Sequence, residues 1–161
     1  MMKNTPIIQQ GSCTCGQSTF SVEGTPLVRF ICHCQICQDI YKKPFADVVI
    51  FPEKSVKLLE ANSVEFKKFR APPAVNRGIC KSCAKPVFGV MWVAPFTRFA
   101  FVPAMNLADS TQLPEAVGHV FYHRHVNEMY DGLPKVSGYV SSQLFLSQKI
   151  FKSLIQHNFS E

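Results

Sequence analysis

The stretch ICHCQICQDIYKKPF, residues 31–45, places three cysteines and one histidine within six consecutive positions. A structural zinc ion takes four ligands in a tetrahedron, so three thiols are one ligand short of a closed site. Either another part of the chain supplies the fourth ligand, or the site keeps an open coordination position. The remaining cysteines bear on this choice.

The other four cysteines form two pairs, CTC at 13–15 and CKSC at 80–83. Both sulfurs of a Cys-x-x-Cys turn converge on one metal ion, and an extended Cys-x-Cys directs both side chains to one face. The two pairs together complete a tetrahedral shell and leave the central three cysteines as an open set. The spacing also permits Cys13 and Cys15 to join two of the central cysteines. An iron–sulfur cluster on four cysteines is ranked below zinc.

An open site of three thiolates favours sulfur chemistry over hydrolysis. Three negative charges over-neutralise Zn²⁺, so the metal activates water poorly, but it still accepts an incoming thiol, which loses its proton on coordination. We therefore expect the substrate to be a thiol. His33 lies between two of these cysteines, and on an extended backbone it points to the opposite face. We expect it to pack or to support the ligands rather than to bind the metal.

The composition predicts one globular domain. The chain has 161 residues, of which 47% are hydrophobic and 14 are phenylalanines, enough for a real core. Lysine and arginine number 17 against 11 acidic residues, a net charge of +6, but the basic residues are scattered. Because basic and aromatic residues do not interleave in patches, nucleic-acid binding is the least favoured function.

The sequence also predicts a cytoplasmic protein without a membrane partner. The N-terminal segment MMKNTPIIQQ has no continuous apolar run, and the longest apolar stretch, VFGVMWVAPF at 87–96, is too short to cross a bilayer. In the cytosol thiols stay reduced. The odd number of 7 cysteines then favours metal binding or catalysis over a disulfide framework.

Short apolar segments separated by glycine and proline predict a mainly β, antiparallel architecture. These segments are 18–23, 27–32, 46–51, 55–61, 64–70, 85–93, 98–103 and 118–125.

The end of the chain has a helical pattern instead. In SSQLFLSQKIFKSLIQHN, residues 141–158, one face carries Leu144, Phe151 and Ile155, with Ile150 and Leu154 beside it. The pattern predicts an amphipathic helix that covers the sheet or a neighbouring subunit. Either of the serines at 141–142 would cap its N-terminus.

Several motifs in order resemble the glutathione-dependent formaldehyde-activating enzyme (Gfa)-like family, which shares a domain with centromere protein V. The resemblance runs from Gly11 to about Pro134. The motifs are GSCTCG (11–16), CHCQIC (32–37) with Pro44-Phe45 after it, FRAPPAVNRGICKSC (69–83), LPEAVGHVF (113–121) and DGLP (131–134).

The resemblance implies a Mss4-like β-tent zinc fold, with two zinc ions per chain and a single domain over 1–161. The domain core would span about 11–134, and the C-terminal helix would be an addition. The structural zinc would be held by Cys13, Cys15, Cys80 and Cys83. The catalytic zinc would be held by Cys32, Cys34 and Cys37 and displaced towards glutathione. The implied activity is that of a carbon–sulfur lyase, which joins glutathione and formaldehyde in S-hydroxymethylglutathione.

The sequence departs from the family pattern in places that bear on the substrate. Where the family has a basic pair and then a glycine after the central cysteines, this chain has Gln38, Asp39 and Lys42. The glycine usual after the last cysteine is Ala84, and the tryptophan expected before DGLP is missing. We therefore keep a non-catalytic zinc module that binds a protein partner as the alternative function.

The sequence offers few candidates for a general acid or base. His33 and His119 are the two histidines within or beside the motifs. The sequence does not indicate an oligomeric state.

Overall fold

The computed structural model describes residues 5–71, 74–94 and 97–158. The first four residues of the segment MMKNTPIIQQ, the two prolines of FRAPPAVNRGICKSC and residues 95–96 of the longest apolar stretch lie outside these ranges.

Within the described residues the chain forms ten β-strands and two α-helices, so the predicted mainly β architecture is confirmed. The strands are β1 (Ile7–Ser12), β2 (Thr19–Gly24), β3 (Val28–Cys32), β4 (Ala46–Pro52), β5 (Val56–Leu58), β6 (Val64–Lys68), β7 (Asn76–Cys80), β8 (Pro86–Ala94), β9 (Thr97–Pro103) and β10 (Ala116–Val120). The helices are α1 (Gln35–Tyr41) and α2 (Tyr139–Asn158).

The described strands form a small and a large sheet. The small sheet has the order β1-β2-β5, and the large sheet has the order β10-β3-β4-β9-β8-β7-β6. All neighbours pair antiparallel except β10, which pairs with β3 in parallel. The expectation of an antiparallel architecture is therefore wrong at this edge. Parallel neighbours need a long connection, and residues 33–115 separate β3 from β10.

Alternation along the central strands of the large sheet gives it two apolar faces. One face packs against the small sheet and forms a first core, which includes Phe20, Val49, Phe51, Ala100 and Val102. The other face packs against the two helices and forms a second core, which includes Phe30, Val48, Ile50, Phe99 and Leu146. The molecule thus has three layers in this region, with the large sheet in the middle.

Helix α2 confirms the predicted C-terminal helix and covers the large sheet. It begins at Tyr139, so Ser141 and Ser142 lie inside it and the predicted cap is wrong. The Ser142 hydroxyl instead accepts a hydrogen bond from the backbone N–H of Phe121 at 2.8 Å. Within the described residues, neither helix has the length and apolar character that crossing a bilayer requires.

The buried face of α2 is offset from the predicted stripe. Leu146 is buried in the second core, and Ile150 and Leu154 pack against it. Leu144 and Phe151, which the pattern places on one face, are 60% and 65% exposed. The apolar residues therefore extend around more of the helix than the sheet covers.

Candidate metal centres

Four cysteines meet at the junction of the two sheets. Cys13 and Cys15 lie in the loop between β1 and β2, Cys80 ends β7, and Cys83 lies in the turn before β8. Their four sulfurs are within 4.8 Å of one another. The Sγ atoms of Cys13 and Cys15 are 3.5 Å apart, and those of Cys15 and Cys80 are 3.8 Å apart.

These distances fit a tetrahedral metal site. With a zinc–sulfur bond of about 2.3 Å, the sulfurs of a tetrahedron are about 3.8 Å apart. The backbone N–H of Ser18 also points at the sulfur of Cys13, with the two atoms 3.4 Å apart. Such N–H groups stabilise a thiolate. This cluster, called here the four-cysteine cluster, could hold a metal ion and would then join β7 to the small sheet.

The other three cysteines form a second cluster, called here the three-cysteine cluster. Cys32 is the last residue of β3, Cys34 caps the N-terminus of α1, and Cys37 lies in the first turn of that helix. Their sulfurs are also within 4.8 Å of one another. The backbone N–H of Cys37 donates to the sulfur of Cys34 at 3.4 Å. The strand end and the helix start thus bring the three sulfurs to one point.

Hydrogen bonds within the three-cysteine cluster favour one thiolate. The thiols of Cys32 and Cys37 both donate to Cys34, which lowers the pKa of Cys34 to about 3. The same bonds, together with burial, raise the pKa of Cys32 well above its usual value. A set of thiols that already stabilises negative charge on sulfur has the donor chemistry that a thiophilic metal ion requires.

Arg77 is the cation of the three-cysteine cluster, although it lies outside the cysteine motifs that predicted the cluster. Its Nη2 donates to the sulfur of Cys37 at 3.7 Å. Arg77 and Cys80 lie three positions apart on β7, so their side chains leave opposite faces of the large sheet. One strand therefore delivers a ligand to the four-cysteine cluster and a positive charge to the three-cysteine cluster. The three-residue spacing between Arg77 and Cys80 was the available signal.

His33 and His119 form a chain of hydrogen bonds with Asp131. His119 Nε2 is 2.7 Å from Asp131 Oδ2, and His33 Nε2 is 2.9 Å from His119 Nδ1. Because the carboxylate only accepts, His119 donates to Asp131 from Nε2, and its Nδ1 shares one proton with Nε2 of His33. Burial, with the nearby charge of His119, lowers the pKa of His33 to about 4, so the ring is neutral at pH 7.

A cavity of about 500 Å³ lies between α2 and the large sheet. All three members of the three-cysteine cluster line it, whereas none of the four-cysteine cluster does. His33 and His119 are likewise absent from its lining. The remaining lining is mostly apolar and includes Phe30, Val48, Ile50, Phe99, Phe101, Leu146, Ile150 and Leu154.

The positions at which the sequence departs from the family pattern lie outside this lining. Gln38 donates to the carbonyl oxygens of His33 and Arg124 at 2.7 and 2.8 Å. Asp39 accepts from Gln35 on the surface of α1. Lys42 and Ala84 both have left-handed backbones, with φ of 54° and 58°. Glycine adopts this conformation without strain, which explains why glycine is usual at both positions.

The fold and these two clusters define a mainly β protein whose cysteines could hold metal ions. The family model of the glutathione-dependent formaldehyde-activating enzyme matches residues 8–124. The chain therefore belongs to this family, as the sequence motifs predicted. No match was found among curated proteins. Helix α2 lies beyond the matched residues, so the side of the cavity that α2 forms is not part of what the family model describes.

Proposed function

We propose that the protein is a zinc-dependent carbon–sulfur lyase-type enzyme that joins a thiol to an aldehyde. Membership of the family supports glutathione as the thiol and formaldehyde as the aldehyde, with S-hydroxymethylglutathione as the product. The observation that carries the proposal is the position of the three-cysteine cluster in the wall of the cavity. The four-cysteine cluster lies away from the cavity, which supports a structural role for Cys13, Cys15, Cys80 and Cys83 and a catalytic role for Cys32, Cys34 and Cys37.

The reaction forms a carbon–sulfur bond between the thiol and the carbonyl carbon, while the carbonyl oxygen gains a proton and becomes a hydroxyl. Zinc at the three-cysteine cluster would supply a position at which a thiol loses its proton. Arg77 offsets the negative charge of the three thiolates. A substrate bound against the mostly apolar lining would exclude water, so the thiolate would meet the aldehyde rather than solvent.

Tyr41 is the residue that we propose as the proton donor to the carbonyl oxygen. The thiol releases its proton to solvent on binding, and Tyr41 regains one from solvent after the product forms, so the reaction consumes no net proton. Tyr41 follows Cys37 by four residues on α1, so both lie on the same helix face, and both line the cavity. Burial raises the pKa of Tyr41 well above its usual value, so its hydroxyl keeps its proton. His33 and His119, the candidates from the sequence, do not line the cavity. We therefore no longer assign the proton transfer to them.

The finer features of this function are proposals on the same basis. They are two zinc ions per chain, a Mss4-like fold, a single domain with a core over about 11–134, and a cytoplasmic location that keeps the seven thiols reduced. The family match and the two cysteine clusters support them.

Carbon-13 exchange spectroscopy tests the reaction directly. Zinc-loaded protein should accelerate the exchange of label between formaldehyde hydrate and S-hydroxymethylglutathione above the uncatalysed rate. Cys34→Ser should return the exchange to the uncatalysed rate, and Tyr41→Phe should slow it while binding of the thiol is retained. An equal rate with and without wild-type protein would contradict the proposal.

One observation favours a second function, that of an interaction module without catalysis. Leu144, Phe151 and Ile155 form an exposed apolar stripe on α2, of which Phe151 also lines the cavity. Exposed apolar stripes of this kind occur at protein interfaces. In that case both metal ions would be structural and the exchange experiment would give the uncatalysed rate.

A further inference from the structure

We propose that the thiol taken by the three-cysteine cluster carries a bulky apolar body, aromatic or branched aliphatic, which lies between α2 and the large sheet. This rests on the proposed function, because it assumes that a thiol binds at Cys32, Cys34 and Cys37. It keeps the thiol chemistry of that function but replaces glutathione with an apolar thiol as the preferred substrate.

The side of the cavity formed by the sheet is apolar and continuous with the cysteines. Phe30 and Cys32 lie two positions apart on β3 and so project from the same face. Ile50 on β4 and Phe101 on β9 face each other across the paired strands and also line the cavity. The body of a thiol whose sulfur is bound beside Cys32 would therefore contact aliphatic side chains and aromatic rings along the sheet.

The opposite side is formed by α2 and is apolar as well. Leu146, Ile150 and Leu154 recur every four residues and line the cavity from one helix face. The start of the helix is held by Arg70, whose guanidinium stacks 4.7 Å from the ring centre of Tyr139 and donates to its hydroxyl at 2.7 Å. Because α2 lies beyond the residues that the family model matches, this wall belongs to the present chain and bears on its own substrate.

The charges in the lining suit only part of glutathione. Among the described lining residues the charged side chains are Arg70 and Arg77, which match the sign of its two carboxylates, and none is acidic. Arg77 already donates to Cys37 and Arg70 to Tyr139. Glutathione carries an ammonium group, which would be buried here without an acidic partner at a large desolvation cost. An apolar thiol has no such cost and gains from each part of its surface that leaves water.

The size of the cavity points the same way. A volume of about 500 Å³ is within the range of sites that bury a whole drug-sized molecule. Formaldehyde and a small thiol would leave most of it unfilled. A ligand with two fused rings attached to the sulfur would fill much more of the space between Ile50 and Ile150.

Isothermal calorimetry on zinc-loaded full-length protein tests the proposal. The thiols are 2-mercaptoethanol as the small reference, glutathione, and 2-naphthylmethyl mercaptan as the apolar probe. We expect the naphthyl thiol to bind at least about tenfold more tightly than 2-mercaptoethanol, because the ring system buries apolar surface. We expect glutathione to bind less than threefold more tightly than 2-mercaptoethanol.

Two variants test whether the tighter binding of the naphthyl thiol comes from contacts in the cavity. Ile150→Trp fills the space from the helix side, and Ser147→Trp does so from an exposed lining position whose substitution is less demanding for folding. Each should abolish most of the naphthyl gain, measured as the affinity for the naphthyl thiol relative to that for 2-mercaptoethanol in the same variant. Leu144→Trp is the matched control, because Leu144 is exposed on the same helix and does not line the cavity.

The outcomes separate this inference from the function on which it rests. Glutathione binding as tightly as the naphthyl thiol, or a naphthyl gain that survives both tryptophan variants, would overturn the inference and leave the proposed function standing. Failure of all three thiols to bind, in protein that carries both zinc ions, would overturn the proposed function and the inference together.

Discussion

The two cysteine clusters lie on opposite sides of the large sheet and differ in what surrounds them. The four-cysteine cluster belongs to the first core, next to the small sheet, and none of its residues lines the cavity. The three-cysteine cluster belongs to the second core, has Arg77 beside it and lines the cavity. Strand β7 contributes to both. Cysteines at similar spacing can thus have a structural or a catalytic role. The role depends on how many ligands surround the metal ion and on whether a substrate can reach it.

The largest expected difference between the clusters is in folding. Cys80→Ser should unfold the protein or prevent its accumulation, because a structural zinc ion contributes on the order of 10 kcal/mol to folding. Cys34→Ser should give a folded protein that lacks only the metal of the three-cysteine cluster. Circular dichroism and elemental analysis of the two variants measure this difference. Unfolding by Cys34→Ser with tolerance of Cys80→Ser would reverse the roles assigned to the clusters.

Removal of the metal should also separate the clusters. Protein purified without chelator should contain about two zinc ions per chain, since the four-cysteine and three-cysteine clusters could each hold one. A chelator should take the metal of the three-cysteine cluster first, because that site has one protein ligand fewer. The release of zinc, monitored with a zinc-sensitive dye, should show two phases. A single phase, or iron in place of zinc, would contradict the assignment.

Arg77 should matter to one cluster and not to the other. Arg77→Gln removes a positive charge 3.7 Å from the sulfur of Cys37, and hydrogen bonds to charged groups contribute about 1.5–3 kcal/mol. We expect zinc affinity at the three-cysteine cluster to fall about tenfold or more. Lys81→Gln, an exposed change beside the four-cysteine cluster, is the control and should leave both affinities unchanged. Equal losses at the two clusters would show that Arg77 acts on the whole fold.

The smallest expected effect is at the two left-handed residues, one beside each cluster. Lys42→Gly and Ala84→Gly should each raise the free energy of unfolding by up to about 1 kcal/mol, because glycine adopts a positive φ without steric cost. Lys43→Gly is the control, since its backbone is not left-handed and the substitution should lower stability. Chemical denaturation measures all three. No gain at either position would indicate that the lysine and alanine side chains make compensating contacts.

Much of the fold could be predicted from the sequence, because alternation and turn residues are local signals. Strands β2, β3, β4, β6, β8 and β9 coincide closely with predicted segments, whereas only part of each of the segments predicted at 55–61 and 118–125 is extended. Strands β1 and β7 were missed. In β7 the sequence VNRGIC has no clean alternation of apolar and polar residues, because Gly78 occupies a buried position without a side chain. Helix α1 was missed because it has only seven residues, too few for a helical period to emerge.

The cysteine spacing predicted the same two groupings that the structure brings together, whereas the cavity could not be predicted. Sulfur ligands are rare and clustered, so their spacing is informative on its own. The cavity depends on how α2 lies on the large sheet, and that follows from long-range packing rather than from any short motif. The helix has apolar residues around much of its circumference, so its sequence does not indicate which of them the sheet covers.

Calorimetry of thiol binding in two buffers of different ionisation enthalpy tests the central claim most directly. If the three-cysteine cluster holds zinc with an open position, a small thiol should bind and release close to one proton, because coordination requires the thiolate. Cys34→Ser should abolish both the heat and the proton release. Wild-type protein that carries both zinc ions and gives no heat with any thiol would contradict the account and favour two structural metal sites.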